Sequence, residues 1–502
     1  MLCAIESATL SGVEGRPVTV EVHVSNGLPG FAIVGLPDAH CRESRDRVRA
    51  ALLSCSLNWT LKRVTVNLAP SGERKNGGGL DLPIAIGLLV ASEQLPHAAV
   101  ENTAFFGELG LDGRLRSVPG LLALVSASCA ARVVVPADGY HEAALLRDRQ
   151  IFPAYDLAEL VAILKGLAVW SDPPTASLPE EPAAPELGDV RGQPVARTAI
   201  EVAAAGGHHL LLSGPPGAGK TMLAQRMSGL LPALDDARAL ETTRIHSAAG
   251  LLSAAQLLRR PPFRAPHHSA SVAALVGGGH GGVTRPGELS LATNGILFLD
   301  ELAEFPAHLL DALRTPLQDG VIRVARAHGT VTLPARCQLV GAMNPCFCGE
   351  GPMSSACTCT EVSRLRYERR VSAALLDRFE LRVGVERVDP DALLCQQAGE
   401  TTAVVGERVA AARSLAMERG VRCNAELPGE YVEAYTPLSH AADRLLRAVL
   451  RAGSLSGRGA HGVRRVARTL VDLKGSGGVV TEDDLAAALA LRADATMFRA
   501  VA

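Results

Sequence analysis

A chain of 502 residues is too long for one hydrophobic core, and length alone predicts about three domains. With 47% hydrophobic and 20% charged residues it reads as a soluble globular protein. The formal charge of −2 excludes a global basic field, so any nucleic-acid site must be a local patch.

The basic residues are five Lys against 45 Arg, a skew that compositional bias towards Arg and Ala explains before selection for phosphate forks does. The first stretch, MLCAIESATLSGVEGRP, is interrupted by Glu6, Glu14 and Arg16 and offers no apolar signal region. The apolar run LDLPIAIGLLVA is too short to span a bilayer and contains Pro83. A cytoplasmic protein without a membrane partner is expected. Eleven cysteines in such a chain point to thiols or metal ligands more than to disulfides.

Residues 1–168 alternate β-rich runs (PVTVEVHVSN, RVTVNLAP, ARVVVPA) with helical segments (DRVRAALLSC, LDLPIAIGLLVASE), which predicts an α/β or α+β domain. Residues 169–188 form an acidic, Pro-rich linker with five prolines. Residues 189–385 carry the strand–loop–helix punctuation of a parallel α/β domain, and residues 386–502 turn helical. In the last segment, VTEDDLAAALALRA, Thr481 is placed to cap a helix and Glu482 to Asp484 favour the positive end of its dipole.

In HHLLLSGPPGAGKTMLAQRM an apolar strand runs into Gly214, Pro215, Pro216, Gly217, Ala218, Gly219, Lys220 and Thr221, after which a helix begins. Glycines let backbone N–H groups converge on a phosphate, and the helix N-terminus adds its dipole. The pattern assigns Lys220 to the β- and γ-phosphates of ATP and Thr221 to Mg²⁺. In NGILFLDELAEF a buried strand delivers Asp300 and Glu301 at its C-terminal end, where Asp300 can hold the Mg²⁺ shell and Glu301 can polarise the attacking water. The strand of RCQLVGAMNP ends in Asn344, an amide able to orient that water or touch the γ-phosphate. Arg378, in LLDRFEL, is a candidate arginine finger for a neighbouring subunit's nucleotide. Arg458, at the start of a C-terminal helix, is expected to point back at the phosphates, with Arg464 and Arg465 as less suitable substitutes.

This ordered set resembles the AAA+ ATPases. The segments FRAPHHSASVAALVGGGHGGVTRPGELSLATNGILFLDELAEF, NPCFCG and LLDRFEL, with SNGLPGFAIVGLPDAHCRESRDRVRAAL in the first domain, resemble the magnesium-chelatase-like branch over nearly the whole chain. Ala373 and Ala374 stand where that family usually has Gly-Pro, and Thr293 where a His is common. The resemblance implies an AAA+ P-loop α/β core, a C-terminal helical lid, a GGGHGG insertion and a hairpin (VIRVARAHGTVTLPARCQLV) facing the pore of a ring. Arg323, Arg326 and His328 near the hairpin tip are candidate phosphate contacts, or solvated turn residues. FFGELGLDGRLRSVPGLLALVSASCAARVVVPADG and ERKNGGGLDLPIAIGLL resemble the proteolytic domain of Lon, which implies a ribosomal S5-like fold for the first domain. Gly79 falls where the nucleophilic serine would sit and Leu122 where the lysine would, while Ser71 and Lys75 only flank the site, so an inactive platform is expected.

Four cysteines, Cys346, Cys348, Cys357 and Cys359, lie within fourteen residues between Asn344 and Arg378. They suit a tetrahedral Zn²⁺ site, although the C-x-C spacing is tighter than usual, and reduced thiols or disulfides are the alternatives. Arg364, Arg366, Arg369 and Arg370 follow and could face a nucleic-acid backbone or solvent. By resemblance the chain is expected to be a hexameric, DNA-stimulated ATPase, a helicase driving branch migration on single-stranded or branched DNA during recombination of incoming DNA. A protein-remodelling motor is the alternative, and an ATP-dependent protease a distant third.

Overall fold

Alternating runs in the N-terminal segment and unbroken apolar runs further on fold into two different sheets. The computed structural model describes residues 1–493 other than 73, 76, 176–182, 253–255, 280–283, 327, 328, 352–355, 389–398 and 454. The first sheet contains β1 (Leu2–Ser11), β2 (Glu14–Ser25), β3 (Gly30–Val34), β4 (Arg63–Ala69) and β5 (Thr103–Phe105). A short hairpin, β6 (Glu108–Leu109) and β7 (Leu115–Arg116), precedes β8 (Arg132–Pro136) and β9 (Gln150–Ala154), which complete the sheet. Its order is β3-β4-β2-β1-β5-β8-β9, with β1–β2 and β2–β4 antiparallel and the remaining pairs parallel. Against β1 and β2 lies the helix Asp81–Ala91, every residue of which is buried, as an apolar sequence on all sides requires. Its one charged residue, Asp81, is gripped by Arg47 through Nε at 2.6 Å and Nη2 at 2.9 Å.

Gly79 sits just before that helix, and a Cβ on it would face Val118 and Leu124 at 3.4–4.0 Å. Leu122 is fully buried, Ser71 is exposed, and buried Lys75 donates to the carbonyl of Pro70. At Gly79, where a Ser–Lys dyad would be expected to carry its nucleophile, the nearest side chains are therefore apolar.

The second sheet is built from β10 (Leu210–Ser213), β11 (Phe263–Arg264) and β12 (Ile296–Leu299), then, beyond the antiparallel hairpin β13 (Val321–Arg326) and β14 (Gly329–Pro334), from β15 (Gln338–Met343) and β16 (Leu381–Gly384). Its order is β11-β12-β15-β10-β16 and every pair is parallel. The sequences LLLS, ILFL and QLVGAM are buried at every position, the mark of a sheet covered on both faces. The order reverses at β10, and such switch points place ligands beyond the C-terminal strand ends.

The C-terminal helices share this core. Val405 and Val409 from the helix Thr402–Glu418, and Val463 and Val466 from the helix Gly457–Leu473, join one apolar cluster with Leu210, Phe298 and Leu223. The helix Glu482–Ala493 starts as expected: the Asp484 N–H donates to Thr481 Oγ1 at 3.3 Å, and the Thr481 N–H returns to Asp484 Oδ2 at 2.9 Å. The Pro-rich linker is docked at both ends. Trp170 packs on Phe152 with ring centroids 4.5 Å apart, and the Leu187 N–H donates to Thr402 Oγ1 at 2.8 Å.

The first domain rests on the second. Val13 joins the cluster of Ile245 and Leu333, the Gly120 N–H donates to the Ser247 carbonyl at 3.0 Å, and Ser247 Oγ bonds Glu142. Gly12, at φ +65°, leaves room for Val331 on β14, which a Cβ there would approach to 2.6 Å.

Candidate nucleotide site

After β10 the chain turns through Gly214–Gly219 into the helix Lys220–Met227. A Cβ on Gly214 would meet the Val385 carbonyl oxygen at 2.0 Å, while one on Gly217 (φ +77°) would meet nothing within 4 Å. The loop is tight against the sheet at its start and open at its crown, where Pro216 is exposed and backbone N–H groups can surround an anion. Ala218, beneath the crown, is buried.

Lys220 is only 9% exposed. Its ammonium donates to the carbonyls of Gly214 (2.6 Å) and Pro215 (3.0 Å) and to Asn344 Oδ1 (3.1 Å). Burial lowers its pKa, against the pull of Asp300 and Glu301. A cation met by three neutral oxygens beneath an open N–H cradle fits an incoming phosphate. Thr221 Oγ1 donates to Asp300 Oδ2 at 2.7 Å, so the hydroxyl and carboxylate form a hard oxygen pair suited to Mg²⁺. Glu301 takes a left-handed φ of +51°, and its N–H donates to Asp300 Oδ1 at 2.9 Å. The strand ends of β10, β12 and β15 thus bring Lys220, Thr221, Asp300, Glu301 and Asn344 together.

Sequence reasoning missed one neighbour. His268 Nδ1 lies 3.3 Å from Glu301 Oε2, and its ring stacks on His267 with centroids 4.0 Å apart. The signal was available: FRAPHHS leaves β11 at the same C-terminal edge of the sheet.

Arg378 and Arg458 lie elsewhere. Arg378 precedes β16, whose Leu381 is level with Leu210 at the start of β10, whereas Lys220 follows the end of β10. Four-residue strands separate the two edges by roughly 13 Å of backbone rise. Arg458, expected to point back at the phosphates, lies beside Arg378: Ser456 Oγ, which caps its helix, bonds the Asp377 carboxylate at 3.2 Å and holds the start of that helix there. Both line a 680 Å³ cavity beneath the strand starts, where eight arginines face only Asp319, Asp377, Glu380 and Glu426. Burial and the neighbouring Arg458 and Arg314 depress the Arg378 pKa, so this edge is short of negative charge. Arg378 Nη2 donates to Gln318 Oε1 at 3.0 Å, while its buried Nε has no partner among the described residues. Arg464 and Arg465 are engaged by the carbonyls of Thr436 (3.0 Å) and Leu427 (2.6 Å).

The expected hairpin forms, pairing Val321 with Pro334 and Arg326 with Gly329. Arg323 on it pairs with Asp319 at 3.0 Å and stays largely exposed, and Arg326 closes the strand. His328 lies outside the described residues.

The four clustered cysteines are free thiols whose sulfurs all lie within 4.8 Å of one another. Cys346 and Cys348 are 3.3 Å apart, Cys348 and Cys357 3.6 Å, and Cys346 and Cys357 3.8 Å. Burial pushes the Cys346 thiol up to about 12, while a backbone hydrogen bond at Glu350 and the contact with Cys346 bring Cys348 down to about 6.

Three family models match the chain: magnesium chelatase subunit ChlI over residues 186–393, subunit ChlI of Mg-chelatase over 20–138, and the ChlI C-terminal region over 399–492. An uncharacterised protein of Mycobacterium tuberculosis is 46% identical over 97% of both chains. The chain belongs to the magnesium-chelatase-like family of AAA+ proteins. Other members of this family are similar over nearly full length. The competence protein ComM of Haemophilus influenzae is 41% identical over 98% of this chain and 97% of its own. The YifB protein of Escherichia coli is 40% identical over 98% and 97% respectively. The family's ATPase core and C-terminal helical region correspond to the second sheet and the helices after it.

Proposed function

We propose that this chain is an ATPase that works as a ring, with six copies as the expected number, and moves DNA. The observation that carries the reading is the division of catalytic groups between two edges of one short parallel sheet. One edge holds Lys220, Thr221, Asp300, Glu301 and Asn344; the other holds Arg378 and Arg458. A nucleotide at the first edge needs positive charge around its γ-phosphate as hydrolysis proceeds, and an arginine from a neighbouring copy supplies it. In this reading Lys220 and the loop Gly214–Thr221 bind ATP, Thr221 and Asp300 hold Mg²⁺, Glu301 polarises water and Asn344 orients it. Arg378 and Arg458 act on the adjacent copy's nucleotide. The cysteine cluster takes one zinc ion.

DNA as the substrate rests on the competence protein among the relatives and on the exposed Arg323 of the hairpin. The proposed task is helicase-driven branch migration during recombination of incoming DNA, in the cytoplasm. No helix among the described residues is long and apolar enough to cross a membrane. ATP turnover measured with and without branched DNA at low salt tests this reading, and several-fold stimulation is expected. Turnover indifferent to DNA would sink it and favour the second reading, remodelling of a protein partner, which the net charge of −2 accommodates.

A further inference from the structure

The cysteine cluster is built against the phosphate loop. Gly349, between Cys348 and Glu350, has φ +86°, and a Cβ there would lie 2.6 Å from Pro216 Cδ. The chain reaches the cluster directly from Asn344, which accepts a hydrogen bond from Lys220. Beyond Gly349, Glu350 pairs with Arg387 at 2.6 Å, just past β16. On the other side Phe347 packs edge-to-face on Tyr367 with centroids 4.8 Å apart, and Arg370 lies 5.0 Å over its ring. Arg370 also bonds Glu304 at 2.8 Å and the Ala303 carbonyl at 3.2 Å, in the turn that follows Glu301. The loop therefore touches the phosphate loop directly and, through Arg370, is linked to the turn after Glu301.

That loop has little of its own to hold it in place. Among its described residues between 345 and 360, Pro345 and Cys346 are the only buried side chains. The sulfurs of Cys346, Cys348 and Cys357 are 3.3–3.8 Å apart and that of Cys359 lies within 4.8 Å of them, close to the edge of a tetrahedron, roughly 3.8 Å when metal–sulfur bonds are about 2.3 Å. Two backbone N–H groups, of Gly351 and Cys348, point at the sulfurs of Cys346 and Cys359 at 3.3 and 3.4 Å, as the surroundings of a thiolate site do.

We propose that a zinc ion bound by Cys346, Cys348, Cys357 and Cys359 braces the phosphate loop through the Gly349–Pro216 contact, so that nucleotide affinity depends on the metal. The inference rests on the reading of Lys220 as the phosphate ligand. Without the ion the loop is released, Pro216 loses its wall, and the N–H cradle above Lys220 is no longer pre-formed.

The test measures zinc content and the dissociation constant of a fluorescent ATP analogue, with Mg²⁺ in excess, on the full chain. Wild type is expected to hold about one zinc per chain. A Cys348→Ser, Cys359→Ser double variant is expected to lose the zinc and to bind the analogue about tenfold more weakly or worse. Wild type stripped by a thiol-directed chelator should show the same loss and regain affinity when zinc is returned, which separates the effect from misfolding of a variant. Less than about half an equivalent of zinc in wild type overturns the proposal, and so does zinc loss with unchanged analogue affinity. A failure of wild type to bind the analogue, zinc being present, counts instead against the nucleotide reading of Lys220.

Discussion

The proposed function gives Lys220 and Glu301 different work at one site, and single substitutions separate them. Lys220→Ala removes the only lysine in the phosphate loop, so ATP binding and turnover should both fall to background in a binding titration and a phosphate-release assay. Glu301→Gln keeps the shape but not the basicity. Binding should be retained while turnover falls about 10²- to 10⁴-fold, and full turnover in this variant would remove Glu301 from its assigned role. The same assay checks the arginines: Arg378→Ala should bind ATP as wild type does and lose about 10³-fold or more in turnover. The convergence of Lys220, Thr221, Asp300, Glu301 and Asn344 was legible because each sits at a strand end announced by a short local run. The place of Arg458 beside Arg378 was not legible, because it depends on Ser456 and Asp377, which are 79 residues apart in sequence. His268 escaped because one imidazole in a Pro-His-His turn carries no periodicity.

The joints between elements carry polar groups that no local pattern announces. His208 bridges the sheet and the C-terminal helices: Nδ1 meets Glu380 at 2.6 Å and Nε2 meets Thr469 Oγ1 at 2.8 Å. Asn424 extends the network to Asp472 at 2.7 Å. Burial works to raise the Glu380 pKa, but His208 and Arg465 outweigh it and hold the carboxylate below its ordinary value. Next to it, His209 Nδ1 accepts the Leu339 N–H at 2.9 Å and ties β10 to β15. Burial brings His209 down to about 4. Both groups act in one direction. The unfolded chain takes up a proton at His209 near pH 6.5, before the folded chain does, so stability is present above that pH and is lost as pH falls towards 4. The depressed Glu380 adds a further loss at the acid end. Urea midpoints measured between pH 7 and 4.5 should decline, and His209→Gln, which keeps a neutral acceptor, should flatten that decline. Strands and helices themselves were readable from apolar runs and caps. The pairing of His208 with Thr469 across 261 residues was not, since it depends on how the helices dock.

On the scale of the whole molecule, the proposed function divides the chemistry between two edges that lie at opposite ends of one sheet. Mixing Arg378→Ala with Lys220→Ala chains tests this directly. Each alone should be nearly inactive, while mixed rings contain seams with an intact phosphate loop facing an intact arginine and should regain measurable turnover. A mixture as inactive as its components, with assembly intact by light scattering, would argue against shared pockets. The α/β architecture with a parallel sheet and helices after it was legible from the apolar runs. The docking of the Pro-rich segment at Trp170 and Leu187, and the seating of Gly12 against Val331, were not, because such contacts join surfaces that are far apart in sequence.

The opposition of the two strand edges also bears on inheritance. In a cell expressing an intact and a damaged copy together, a protein with a self-contained pocket would lose only the damaged fraction of its output. In the proposed ring, a chain lacking Arg378 would silence its neighbour's sound pocket while still taking its place, so the defective allele should behave as a dominant one.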